Sequence, residues 1–183
     1  MMNNLTQQNT FFYNQIAESV VTNEPIFNLT NGGKIKLSKS AVYLINKLTQ
    51  YEARSPESGG VLLGRFIKDS KNIVVDKVTT PMKGDKQTRY LFKRLSPLHQ
   101  LIIDSEWNKS NGTCNYLGEW HTHPELVPTP SGIDIRDWKR KLKTDTFSSR
   151  FLYFIIAGTR SINMWEGDRR TNEIRGLEPI SDI

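Results

Sequence analysis

One stretch limits the fold more than any other: GEWHTHPELVPTPSGID, residues 118–134. Its first half, with YL ahead of it (116–123), alternates as a strand does. Pro124, Pro128 and Pro130 then forbid regular structure, and Ser131 is placed to cap a helix running to about Leu142. The chain must therefore run strand, rigid turn, helix. Two of its three histidines, His121 and His123, lie on that strand, and Asp134 follows eleven residues after the second. Residues two apart on a strand point to one face, so the two imidazoles project side by side. Neutral imidazoles in that arrangement suit zinc, and Asp134, in the first helical turn, is placed to supply a carboxylate. Two histidines and one carboxylate leave a fourth position open, the arrangement of a catalytic rather than a structural zinc. Each residue also has an ordinary alternative. Asp134 can be a helix N-terminal acid, Ser131 only a cap in a capping box with it, and the histidines no more than a polar strand.

The rest of the chain supplies a setting. The first ~24 residues, rich in Asn and Gln, read as an arm or short helix. IFNLTNGGKIKLS (26–38) predicts a hairpin about an Asn-Gly-Gly turn, and Ser38 caps a helix to about Arg54 with Ala41, Leu44, Ile45, Leu48 and Tyr51 on one face. Strands are expected over 59–67, 72–81 and 87–94. Ser96 and Pro97 open a helix whose apolar face is Leu98, Leu101, Ile102 and Ile103, ended by Asn111-Gly112. Residues 150–158 and 161–167 form a last apolar hairpin, and Trp120 with the aromatics of 151–154 belongs to the core. This alternation predicts a mixed α/β single domain with a central mixed sheet flanked by helices, divided into an arm (1–25) and a domain (26–183).

Composition narrows the function classes. With 183 residues, 37% hydrophobic and 24% charged, the chain suits one globular domain. No apolar run reaches the ~18 residues a membrane span needs, and the N-terminus lacks the pattern of a secretory signal. A single cysteine, Cys114, excludes an internal disulfide and a multi-cysteine zinc cage. The protein is expected in the cytoplasm, with no membrane partner. Its net charge of +6 is spread along the chain, with small clusters at 137–143 and 167–170 and no nucleic-acid recognition motif. His99 and Cys114 carry no sign of a ligand or nucleophile role.

A hydrolytic zinc needs a base for its water. Glu57, in SPESGGVLLG just before an apolar strand, is placed to take that proton and pass it to a leaving amine, although alone it would be a surface-loop residue. Ser131 can donate its hydroxyl to an oxyanion. Together, ESGGVLLG and GEWHTHPELVPTPSGID resemble the JAB/MPN zinc metallopeptidase family, also called JAMM. Its glutamate matches Glu57, its glycine-rich strand Gly60, Leu62 and Gly64, and its His-x-His-Pro and Ser-x-x-Asp match His121, His123, Pro124, Ser131 and Asp134. The Glu119-Trp120 pair looks like the prokaryotic branch.

The resemblance implies a cytidine-deaminase-like JAB/MPN fold over roughly 35–168, with one Zn2+ on His121, His123 and Asp134 and a water as fourth ligand. It makes Glu57 the general base and Ser131 the oxyanion donor. It implies an isopeptidase or peptidase acting after the C-terminal tail of a ubiquitin-like or conjugated protein. The finer resemblance is to the deconjugating peptidases of CBASS anti-phage operons, which free a cyclic-nucleotide synthase, a nucleotidyltransferase, from its targets beside activating and conjugating-type enzymes. Two other readings stand beside it. One is a non-catalytic scaffold of the same fold. The other is a DNA-repair-associated RadC-type protein, which shares Pro-Ser-x-x-Asp but usually carries Ser-Gly where Glu125-Leu126 stand here. Specificity is expected from loops 79–89 and 143–150.

Overall fold

The Asn31-Gly32-Gly33 turn joins β1 (Ile26–Asn28) to β2 (Lys34–Leu37) as the expected antiparallel hairpin, Gly32 taking a φ of +84° that side chains resist. These elements come from a computed structural model that describes residues 24–180, so the arm lies almost wholly outside the described residues. Ser38 accepts the Ala41 N–H and opens α1 (Lys39–Lys47). This helix stops well before Arg54. Thr49 turns its hydroxyl back to the Ile45 carbonyl. Gln50 is drawn inside, donating to the carbonyls of Ser55 and Arg89 and accepting from Thr122. A buried amide with that many partners outweighs one more helical turn.

β3 (Gly59–Phe66) and β4 (Ile73–Val78) follow as an antiparallel pair. The strand expected over 87–94 is instead two: β5 (Lys86–Thr88) and β6 (Leu91–Lys93) fold about Arg89-Tyr90 into a hairpin separate from the main sheet. In α2 (Leu98–Lys109) Pro97 is the cap rather than the first helical residue, and Ser96 Oγ accepts the Leu98 N–H. The apolar face expected there is not the buried one. Leu98 and Leu101 are exposed, and the residue that α2 buries is His99. β7 (Asn115–Thr122), α3 (Gly132–Thr144), β8 (Phe151–Ala157) and β9 (Ile162–Asp168) match expectation, while β10 (Glu173–Gly176), short and mostly exposed, has no sequence pattern to announce it.

Eight strands make one mixed sheet in the order β1-β2-β4-β3-β7-β8-β9-β10, parallel only at β2/β4 and β7/β8. The sheet curls until the chain after β10 returns to β1, where Phe27 bridges Pro179. β8 separates two cores by its period of two. Tyr153, Ile155 and Ala157 face the α1 side with Ile45, Leu62 and Trp120. Leu152, Phe154 and Ile156 face Trp138 and Leu142 of α3. Each of the larger side chains contributes about 1.5–3 kcal/mol by leaving water, which pins β8 between both layers. Among the described residues no helix is long and apolar enough to cross a membrane.

Candidate metal centre and active site

Backbone pairing delivers the histidines. β7 runs parallel to β8 up to Thr122↔Ala157, and the His123 N–H extends the ladder to the Ala157 carbonyl at 2.9 Å. Thr122 points away from its neighbours, buried, its hydroxyl accepting the Ser58 N–H at 3.0 Å. On the other side Gly59 of β3 pairs with His121, which sets Glu57, two residues before the strand, beside the imidazoles. Glu57 Oε1 lies 3.9 Å from His123 Nε2, and the residue is 5% exposed.

The proline-rich turn is anchored rather than loose. The carbonyls of Glu125, Leu126 and Pro128 accept from Thr159 and Arg160 on the β8–β9 turn and from Asn163 at the start of β9. Gly158 permits the approach, since a Cβ there would stand 2.6 Å from the Glu125 carbonyl oxygen. α3 then starts with the capping box: Ser131 Oγ accepts the Asp134 N–H at 3.2 Å, and Asp134 Oδ2 accepts the Ser131 N–H at 2.7 Å. The cap and the site are therefore not alternatives. The same carboxylate that closes the box reaches the histidines, with Oδ1 3.4 Å from His121 Nε2 and Oδ2 3.6 Å from His123 Nε2.

His121, His123 and Asp134 each offer a ligand atom, all within 4.8 Å of one another. The two Nε2 atoms face each other at 3.1 Å, close to the roughly 3.3 Å that two nitrogens 2.0–2.1 Å from one tetrahedral ion would have. Burial, with His123 beside it and against the raising charge of Asp134, lowers the His121 pKa to about 4, so the ring is neutral at neutral pH, the form a metal binds. The donor set fits a borderline-soft divalent cation held by two imidazoles and a carboxylate.

Glu57 has the opposite bias. Burial, then the charges of Asp134 and Glu125, raise it to about 8 against a lowering hydrogen bond from the Phe92 backbone. A cation on the neighbouring ligands would pull the value down. Ser131 is exposed, and its one hydroxyl hydrogen goes to Asp134 Oδ2 at 2.6 Å. Donating to a substrate therefore requires that hydrogen to swing away from the carboxylate.

Of the two loops expected at the site, only the first is there. Gln87 donates to the Glu57 carbonyl at 2.8 Å, the Glu57 N–H donates to Thr88 at 2.7 Å, and the Phe92 ring lies over Gly59. The 143–150 segment belongs to the far end of β7, where Asp145 accepts from Tyr116 at 3.1 Å. His99 is buried away from the metal ligands, and Cys114 precedes β7 at its other end, its thiol pushed up chiefly by burial. Gln50, Gln87 and Phe92 support the site without any signal in the sequence. Their partners lie 5 to 72 residues away along the chain, and none has a fixed spacing to them.

A curled mixed sheet that brings a His-x-His strand, the aspartate of the next helix and a buried glutamate together defines a JAB-type fold with a potential metal centre. Residues 44–169 match the model of prokaryotic homologs of the JAB domain, and the chain belongs to that family. Among its relatives are three proteins named CD-NTase/cGAS isopeptidase. The one from Escherichia coli is 31% identical over 85% of this chain and 95% of its own length. That from Vibrio cholerae is 36% identical over 75% and 85%, and that from Pseudomonas aeruginosa 39% identical over 58% and 66%. The solution structure of protein DSY2949 from Desulfitobacterium hafniense shares the fold, with a TM-score of 0.53, 18% identity and coverage of 81% of this chain and 91% of that one.

Proposed function

We propose that the protein is a zinc-dependent isopeptidase that cleaves the amide bond after the C-terminal tail of a conjugated CD-NTase, a cyclic-nucleotide synthase of CBASS anti-phage defence. The observation that carries this reading is the convergence of His121, His123 and Asp134 with a buried glutamate 3.9 Å from one of the imidazoles. The relatives' names supply the substrate class. In this reading the catalytic domain spans 26–183, behind an arm at 1–25. The protein works in the cytoplasm beside activating and conjugating-type enzymes encoded in the same operon.

His121, His123 and Asp134 would hold the metal. A zinc ion bound there would supply a Lewis acid and lower the pKa of a water toward about 7. Glu57 takes a proton from the attacking water and hands it to the departing lysine amine. Ser131 turns its hydroxyl hydrogen from Asp134 to the oxygen on which charge develops, at the exposed mouth of the site. The fold encloses the base and leaves the mouth open, as a large protein conjugate requires.

The test uses the purified chain and a conjugate of the nucleotidyltransferase tail to the ε-amine of a lysine peptide. Turnover is expected with one zinc per chain and is abolished by chelation. Glu57→Gln keeps the zinc and loses turnover by roughly 100-fold or more. Turnover that survives metal removal would sink the proposal.

A further inference from the structure

Between β4 and α2 the chain leaves the sheet, forms the β5–β6 hairpin and returns. The neck of this excursion is closed by three buried polar side chains that the chemistry above does not use. His99, fully buried, stands between two of them: Nδ1 is 2.7 Å from Thr79 Oγ1 and Nε2 is 2.8 Å from Asp85 Oδ2. Asp85 also accepts the N–H of Met82 at 2.8 Å and those of Leu95 and Ser96 at 2.9 Å, so one carboxylate ties the outgoing chain to the returning one. Thr79 fastens the set to the sheet. Its Oγ1 accepts the Val61 N–H of β3 at 2.9 Å, and its carbonyl accepts the Trp120 indole N–H of β7 at 2.8 Å. With Oγ1 already accepting from Val61, its hydrogen is free for His99 Nδ1, and the Nε2–H is left for Asp85. Just past β6, Arg94 makes two charge-assisted bonds to Glu119 at 2.8 and 2.7 Å, two residues before His121.

Hydroxyl, imidazole and carboxylate in a row are also the parts of a nucleophilic triad. That use is closed here, because Thr79 is 4% exposed and the His99 and Asp85 side chains are wholly buried. What the set does reach is the hairpin, and the hairpin reaches Glu57 through Gln87 and Thr88, with the Phe92 ring over Gly59 two residues on. We propose that Thr79, His99 and Asp85 are positioning residues for amide hydrolysis: they lock the hairpin neck to the sheet, and the hairpin holds the Glu57 carboxylate in line for proton transfer. The proposal rests on the reading of Glu57 as the base.

Thr79→Val keeps the shape of the side chain and removes the hydroxyl, and Thr79→Ser puts it back. Both are compared with the parent as full-length, zinc-loaded protein on the lysine-peptide conjugate. Thr79→Val is expected to lower kcat roughly 10- to 100-fold while KM stays within about two-fold. Zinc stoichiometry holds, and the backbone amides of 86–93 become open to hydrogen exchange. Thr79→Ser returns kcat and exchange to near the parent. Gln87→Ala, at an exposed position on the hairpin, reproduces the kcat loss without touching the buried set. A purely structural role would lower the melting temperature and leave the turnover of folded molecules alone. Parent-like kcat in Thr79→Val, or hairpin amides that stay protected, overturns the proposal. Should Thr79→Val not fold, Asp85→Asn takes its place in the same two measurements: a lowered kcat with opened hairpin amides supports the positioning role, and parent-like values overturn it. Glu57→Gln separates the two readings. If it stays active, the base assignment falls with everything resting on it. If it is inactive while Thr79→Val is fully active, only the positioning role falls.

Discussion

Two imidazole nitrogens 3.1 Å apart, each near a carboxylate oxygen, make sense only with a proton or a cation between them. A neutral imidazole carrying its hydrogen on Nε2 can donate to the other ring, and a divalent cation held by both nitrogens and Asp134 fits the same spacing. Replacing Asp134 with alanine removes a candidate ligand, the Ser131 cap partner and the negative charge beside Glu57 together. We expect its zinc affinity to fall by roughly 100-fold or more, read by competition with a chromophoric chelator. Ser131→Ala separates the cap from the chemistry. Losing an N-cap costs about 1 kcal/mol, whereas losing an oxyanion donor lowers kcat by roughly 100-fold. Thermal denaturation reads the first and steady-state kinetics well below the melting temperature the second. A variant that loses stability alone would leave Ser131 a cap and nothing more.

At the scale of elements, the site depends on how β7 is bent as much as on what it carries. The register between β3 and β7 shifts at Leu62/Leu63, where Leu117 enters as an extra residue, and Gly118 next to it has a φ of +144°. A Cβ on Gly118 would stand 1.8 Å from the Tyr153 carbonyl oxygen of β8. Gly118→Ala combines backbone strain with a clash against a central strand, and is expected to cost about 3 kcal/mol, or roughly 6–12 °C in Tm. A parent-like Tm would show that the bulge relaxes freely. Much of this level is legible in the sequence wherever a pattern is local. The Asn-Gly-Gly hairpin, the helix from Ser131 and the apolar run of β8 all stand where their residues place them. The failures share one cause. α1 ends early because Gln50 is bound by groups 5, 39 and 72 residues away. The run 87–94 folds on itself instead of joining the sheet because its neck and Glu57 hold it there.

For the molecule as a whole, the same neck sets a pH limit. Burial alone would raise Asp85, but the hydrogen bonds from His99 and from the Met82, Ser96 and Leu95 backbone outweigh it and lower the pKa from 3.8 to about 2. A depressed carboxylate contributes stability above its unfolded pKa and loses it as pH falls through the folded one. That contribution, about 2 kcal/mol, is complete above pH 3.8 and disappears toward pH 2. Asp85→Asn should therefore show a smaller loss of stability than the parent between pH 4 and 2, as seen in denaturant titrations at each pH. Equal slopes would remove Asp85 from the acid response.

The sequence by itself determined the candidate ligands. His121, His123, the rigid proline turn and Ser131-x-x-Asp134 lie within seventeen residues, and strand and helix periodicity alone bring them to one place. Glu57 stood outside that reach, a candidate only from its place before an apolar strand and from the family resemblance, because nothing local says that β3 will pair with β7 at Gly59↔His121. Only the tertiary structure could decide that the glutamate is buried, that the 86–93 hairpin covers it, and that His99 belongs to the clamp at the neck and not to the candidate metal centre. Those outcomes depend on hydrogen bonds between residues 14 to 72 positions apart. Such bonds form only once the sheet has closed around them, and no period in the chain encodes them.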